Sequence, residues 1–74
     1  MKLSELKKGD HAIILKIETD ESLKARLTSF GIARGTSLSI EECSLGNNTI
    51  EILVDDTFIG LRAKEASNIM VKKV

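Results

Sequence analysis

The first regular pattern of hydrophobic positions is a short apolar run near the N-terminus. The segment HAIILKI, residues 11–17, is rich in β-branched side chains and predicts a β-strand. Strict alternation places Ile13, Leu15 and Ile17 on one face and Ile14 on the other. If the first face points inward, Ile14 points outward, and we therefore expect this strand to be covered on both sides.

The period changes in the next segment, ETDESLKARLTSF. Its apolar residues recur at positions i, i+4 and i+7, which defines one helical face made of Leu23, Leu27 and Phe30. We expect these side chains to join the core. Thr19 or Asp20 can cap the first turn, and Gly31 follows where a left-handed residue often ends a helix.

Alternation returns in three further segments and again near the C-terminus. The residues predicted to point inward are Leu38, Ile40, Ile50, Ile52, Val54, Ile59, Leu61, Ile69 and Val71. LGNN, residues 45–48, predicts a hairpin turn between the second and third strands, since Gly and Asn tolerate positive φ. AKEASN, residues 63–68, predicts a helical turn before the last strand.

Five short strands at close spacing predict a mainly β fold with short helices. The order is a strand, an inserted α-helix, a hairpin, a fourth strand, a helical turn and a fifth strand. This order favours a small SH3-like β-barrel over a flat open sheet. With 74 residues, the chain predicts a single domain over residues 1–74.

Composition narrows the classes of partner. The net charge is zero, with 11 basic and 11 acidic side chains, and aromatic residues make up 3% of the chain. Nucleic-acid binding relies on cationic contacts and stacking platforms, so both values argue against it. The N-terminal sequence MKLSELKKGD does not resemble a signal peptide, and the longest apolar run is AIIL. We expect a cytoplasmic protein that does not insert into membranes.

No set of residues predicts catalysis. The acidic pairs, Glu41-Glu42 and Asp55-Asp56, are sequence neighbours that point to opposite faces of a strand. His11 and Cys43 are the only strong borderline or soft metal ligands, whereas a zinc site takes three or four. They are therefore weak candidates for a metal site. We predict no enzyme activity and no cofactor, and weak divalent metal association remains open.

Two glycines bracket the tripeptide Ile32-Ala33-Arg34. Phosphate-binding glycine loops open a helix, and the common one also carries a lysine. Gly31 and Gly35 instead follow the predicted helix, whose C-terminal end carries the negative end of the dipole. We interpret this stretch as a structural corner.

An ordered set of motifs runs through nearly the whole chain. The motifs read L..L..G, RL...GI..G and LR..EA..I.V, with a hairpin between the last two. They comprise Leu3, Leu6, Gly9, Arg26, Leu27, Gly31, Ile32, Gly35, Leu61, Arg62, Glu65, Ala66, Ile69 and Val71. In this respect the chain resembles the FeoA family, ferrous iron transport protein A.

The resemblance implies an SH3-like barrel and a cytosolic accessory role in bacterial ferrous iron uptake. It implies FeoB as the partner, the membrane transporter with a cytosolic GTP-binding domain, and its members are not known as enzymes. The family often has proline where Arg34 stands, and often in the hairpin loop that reads LGNNT here. These departures leave open whether loop contacts to a partner are retained.

Three residues are candidates for contact with a partner protein. Phe58 alternates away from Ile59, and Arg34 and Arg62 belong to a residue type that anchors interfaces. A core Phe58 and solvated arginines are the competing interpretation. Two other functions stay open, an RNA- or ribosome-associated barrel and a stand-alone relative of the domain that ends iron-dependent repressors. Homo-oligomerisation is also open.

Overall fold

The computed structural model describes residues 1–44 and 48–74. A single 3-10 turn at Leu3–Glu5 precedes five strands and two helices. They are β1 at His11–Ile17, α1 at Glu21–Ser29, β2 at Ser37–Ser44, β3 at Thr49–Val54, β4 at Thr57–Arg62, α2 at Ala63–Ala66 and β5 at Ile69–Lys73. This is the predicted order of elements. The predicted hairpin turn at residues 45–48 lies outside the described residues except for Asn48.

The five strands form one antiparallel sheet in the order β4-β3-β2-β1-β5. The hairpins β2–β3 and β3–β4 build one half of the sheet, as the alternating segments predict. β1 joins this half to β5, and its pairing with β2 covers only residues 11–13. The short pairing leaves room beside β1 for the connection that contains α1.

The core is made of aliphatic side chains from every element. All the inward positions predicted for β2 to β5 are buried, as are Leu3 and Leu6. Within residues 1–44 and 48–74, the largest fully buried side chains are Leu3, Ile14, Leu27, Ile32, Ile40, Ile52, Leu61, Ile69 and Val71. Removal of their apolar surface from water is the main force that holds so short a chain together.

The prediction for the faces of β1 is wrong. Ala12 and Ile14 are buried in the core, whereas Ile13 is half-buried and Leu15 is 48% exposed. Alternation does not decide which of two apolar faces points inward, and Ala12 and Ile14 take that side. A β-bulge follows, because Ile14 pairs with Val71 and Lys16 with Met70, which leaves Leu15 without a partner on β5. The extra residue reverses the alternation, so Ile14 and Ile17 both face the core.

The helix begins and ends as predicted, but one of its three predicted core residues is exposed. Asp20 is the N-cap, and its Oδ1 accepts a hydrogen bond from Leu23 N–H at 2.8 Å. Leu27 is fully buried, but Phe30 is 44% exposed, so its assignment to the core is wrong. Phe30 is the C-cap, where the chain leaves the helical period, and the apolar contact with the core passes to Ile32.

Gly31 ends α1 in a Schellman motif. Its φ is +87°, its N–H donates to Thr28 O at 3.0 Å, and Ile32 N–H donates to Leu27 O at 3.0 Å. Ile32 and Leu27 are both fully buried, which is the hydrophobic contact that accompanies this motif. The predicted corner role of Gly31 is therefore confirmed.

Gly35 forms a second corner, the turn at residues 33–36. Thr36 N–H donates to Ala33 O at 3.0 Å, and Gly35 has a φ of +87° at the third position. Gly35 N–H also donates to Ile14 O at 2.7 Å, and Ile14 N–H donates to Thr36 O at 2.9 Å. The turn is thus held against β1 immediately before the bulge.

We predict that Gly31→Val destabilises the protein by more than about 1 kcal/mol, because a β-branched residue is strained at positive φ. Among the described residues beyond its chain neighbours, an added Cβ would meet only Val54 Cγ1 at 4.0 Å, so overlap at the Cβ itself does not contribute. The melting temperature should fall by about 5 °C or more. Gly60→Val is the matched control, since beyond its chain neighbours no atom of the described residues lies within 4 Å of an added Cβ there, and φ is not positive. Equal melting temperatures for the two variants would contradict this account.

Asp10 ties the first turn to the C-terminal strand. Its Oδ2 accepts a hydrogen bond from Lys7 N–H at 2.8 Å, and its Oδ1 lies 3.4 Å from Lys73 Nζ. The Lys7 hydrogen bond and the Lys73 charge hold the pKa of Asp10 below its ordinary value of 3.8, although desolvation opposes them.

A lowered pKa means that ionised Asp10 stabilises the fold above about pH 4, and that this stabilisation is lost as the pH falls through the native pKa. We predict that Asp10→Asn is less stable than the wild type at neutral pH. The difference in the free energy of unfolding should vanish in acid. Urea unfolding of both proteins between about pH 7 and pH 2.5 tests this. A difference that stays constant over that range would contradict it.

Candidate partner-binding site

Arg34 lies in a groove between α1, β1 and the turn at residues 33–36. The groove has a volume of about 450 Å³ and is lined by Leu15, Lys16, Ile17, Lys24, Thr28, Ala33 and Arg34. We call it the basic groove, because each of the three elements contributes one cationic side chain to it. Thr28 Oγ1 donates to Lys24 O at 2.9 Å within α1, so this hydroxyl already has an intrahelical partner.

Phe58 lies on the outer face of the sheet. It is 62% exposed and pairs across strands with Leu53, which is half-buried. As expected from alternation, Phe58 therefore points to the face opposite that of buried Ile59. An exposed phenylalanine beside a leucine forms a small apolar surface of the kind that partner proteins contact.

Arg62 occupies the junction of β4 and α2. Its backbone N–H donates to Glu65 Oε1 at 2.9 Å. Its side chain is exposed beside a shallow depression of about 200 Å³. Phe58 and Arg62 share the outer face of β4, four residues or roughly 13 Å apart. Arg34 lines the basic groove, which contains neither of them. The three candidates therefore do not form one cluster.

The motif residues that the resemblance singled out hold the fold together. Leu27, Leu61 and Ala66 are in the core. Arg26 Nη1 lies 3.4 Å from Glu65 Oε2, and this ion pair joins α1 to α2. Glu65 thus contacts both Arg26 and the backbone of the β4–α2 junction.

His11 and Cys43 are on different sides of the sheet. His11 is exposed at the start of β1, next to buried Ala12, and pairs with Ser39 on β2. Cys43 is half-buried against the core, with its Sγ 3.9 Å from Leu6 O. It follows Ser39 by four residues, which places the two side chains roughly 10–13 Å apart along the sheet.

The described residues do not contain a cluster of metal ligands. Within residues 1–44 and 48–74, no three His, Cys, Asp or Glu side chains come close enough to hold an ion. In the same ranges, none of the helices has the length and apolar character needed to cross a membrane.

The sequence singles out Arg34 as a candidate but not Lys16 and Lys24, which line the same groove. Lysines on an exposed strand position and on a short helix have no signal that separates them from solvated charges. Their convergence depends on the bulge at Leu15 and on the angle at which α1 lies, and neither can be inferred from periodicity.

Comparison with known proteins identifies a family. The model of the FeoA domain matches residues 1–73. A Campylobacter jejuni protein named as an Fe(2+) transport protein A is 39% identical over 74 residues, which cover all of both chains. A Porphyromonas gingivalis fusion of Fe(2+) transport protein A with the Fe(2+) transporter FeoB is 27% identical over all of this chain and 9% of its own length.

Solved structures confirm the SH3-like fold. The solution structure of FeoA from Chlorobium tepidum superposes with a TM-score of 0.90 and 32% identity, over 96% of this chain and 68% of that one. A manganese-dependent transcriptional repressor superposes with a TM-score of 0.92 at 20% identity, over all of this chain and 36% of that one. The second likeness concerns the fold alone.

The separation of His11 from Cys43 predicts that one chain cannot bind a single ion through both. In a Zn²⁺ titration followed by NMR, Cys43→Ser should leave the metal-induced shifts of the His11 ring unchanged. His11→Ala should likewise leave the metal-induced shifts near Cys43 unchanged, because each side chain would bind an ion independently of the other. Loss of both responses in either single variant would contradict this prediction.

Proposed function

This chain belongs to the FeoA domain family, and we propose that it is a small cytoplasmic accessory protein of bacterial ferrous iron uptake. We propose further that it acts as a protein-binding module on the cytosolic GTP-binding part of the transporter FeoB. In this role it tunes transport through contact and catalyses no reaction of its own.

The fusion relative is the observation that carries the proposal. In the Porphyromonas gingivalis protein, a segment similar to this whole chain stands on one polypeptide with an FeoB transporter. Covalent joining raises the effective concentration of one module beside the other, and it is useful when the two act together. A separate chain of the same family would reach the same partner by non-covalent binding.

The exposed groups on the sheet and the turns are consistent with such a module. Phe58 offers apolar area, and Arg34 and Arg62 offer planar guanidinium groups that bind carboxylates in two parallel hydrogen bonds. We propose these three residues as contacts, at two separate places on the surface. A partner domain that touches both places would have to span from β4 to the turn at residues 33–36.

We predict that the chain binds FeoB of the same organism, held in lipid nanodiscs, in a calorimetric titration with and without guanine nucleotide. Phe58→Ser should weaken binding about tenfold, as expected when an anchoring aromatic side chain is truncated. Val74→Ser is the matched control, because Val74 is 65% exposed and follows β5, which stands at the opposite end of the strand order from β4.

The absence of heat and of complex formation in every nucleotide state would overturn the proposal. Equal weakening by Phe58→Ser and Val74→Ser would remove Phe58 from the contact surface while the binding itself stands. Salt-sensitive RNA binding with no transporter binding would favour the alternative role of an RNA-associated barrel.

A further inference from the structure

We propose that the basic groove docks an acidic peptide segment of a partner protein, with carboxylates on either side of an apolar side chain. This inference deepens the proposed function, on which it rests, by stating the chemistry of the segment that the partner offers. Three features of the groove support it: its charge, its apolar floor and the hydrogen bonds that hold the turn beside β1.

The charge of the groove is the first observation. Lys16, Lys24 and Arg34 line one space, although the whole chain has no net charge. Lys24 and Arg34 make no ion pair within 4 Å among the described residues. Three cations that converge from separate elements attract a ligand that carries several negative charges.

The acidic groups around the groove do not neutralise it. Glu18 Oε1 lies 3.4 Å from Lys16 Nζ, and both side chains are more than half exposed, so an incoming carboxylate can replace this pair at little cost. Asp20 is engaged as the cap of α1. Glu21 precedes Lys24 by one helical turn and does not line the groove.

The floor of the groove is the second observation, and it selects the kind of ligand. Leu15 is 48% exposed there, with half-buried Ile17 and Ala33 beside it. In a regular strand Leu15 and Lys16 would face opposite sides, but the bulge brings both to this groove. An apolar floor next to cations suits a peptide that carries both acidic and apolar side chains.

Other anionic ligands fit the basic groove less well than an acidic peptide. A free phosphate would satisfy the cations and leave the floor uncovered. A nucleic acid strand gains much of its affinity from base stacking on aromatic rings, and the groove contains no aromatic side chain. The combined chemistry therefore favours a peptide that is acidic and apolar at once.

Hydrogen bonds within the fold hold the turn that forms one wall of the groove. The two hydrogen bonds between Ile14 and the turn hold Arg34 beside β1. Inside the turn, Thr36 Oγ1 donates to Gly31 O at 3.2 Å and accepts from Ala33 N–H at 3.2 Å. Little backbone ordering is needed on binding, which lowers its cost.

The first experiment is an NMR titration of the full chain with the peptide acetyl-Glu-Leu-Asp-Phe-Glu-amide. Its matched control is the neutral peptide acetyl-Gln-Leu-Asn-Phe-Gln-amide. We expect the acidic peptide alone to shift the backbone signals of residues 15–17 and 33–36. Equal shifts with both peptides, or shifts confined to other residues, would overturn the proposal.

Charge reversal in the groove is the second test. Lys24→Glu and Arg34→Glu should each weaken peptide binding about tenfold, and Leu15→Ser should weaken it several-fold. Lys72→Glu makes the same charge change on β5, outside the groove, and should retain affinity. Equal weakening by Lys72→Glu would show non-specific attraction and overturn the proposal. All substituted side chains are exposed, and a thermal melt verifies folding.

Inorganic phosphate and phosphatidylglycerol vesicles are titrated in parallel. If either produces the same shifts at residues 15–17 and 33–36 as the acidic peptide, with the same sensitivity to Arg34→Glu and none to Leu15→Ser, the groove is an anion site and the proposal falls.

Binding of FeoB separates this inference from the proposed function. If the wild type binds FeoB and Lys24→Glu and Arg34→Glu bind it equally well, the groove proposal fails and the proposed function stands. If the wild type does not bind FeoB but the acidic peptide enters the groove with the expected sensitivity, the proposed function fails and the chemistry of the groove stands.

Discussion

Ile14 exchanges two backbone hydrogen bonds with the turn at residues 33–36, and much of the molecule depends on that contact. It anchors the end of the connection that contains α1, so the helix can lie over the core with Leu27 and Ile32 buried. It also sets the point at which β2 begins beside β1. Gly35 N–H can reach Ile14 O at 2.7 Å because its positive φ turns the amide toward β1.

Much of this architecture could be predicted from the sequence, because alternation and helical spacing report which side chains a local element buries. The inward residues of β3, β4 and β5 follow directly from that rule. The rule fails where an extra residue enters a strand, as at Leu15 in β1. It also fails at Phe30, where the spacing continues but the helix has ended. Both kinds of error arise from tertiary pairing, which periodicity does not contain.

The candidate site was less predictable than the fold for the same reason. Arg34 stood out because it replaces an expected proline, but Lys16 and Lys24 gain meaning only from their shared groove. For two of the motif residues the sequence misleads in the opposite direction, because it suggests a function where the structure shows a role in the fold. Arg26 and Glu65 are polar and look functional, yet their ion pair joins the two helices, and Glu65 also accepts the hydrogen bond that starts α2.

The bulge in β1 lets the strand turn Ile14 and Ile17 toward the core while Leu15 and Lys16 line the basic groove. Without Leu15, the remaining order Ile14, Lys16, Ile17 would alternate regularly and would place both isoleucines in the core. Leu15 therefore has the position of a one-residue insertion, outside the regular alternation that fills the core. Two chains could then share every core contact and differ in the partner segments they accept.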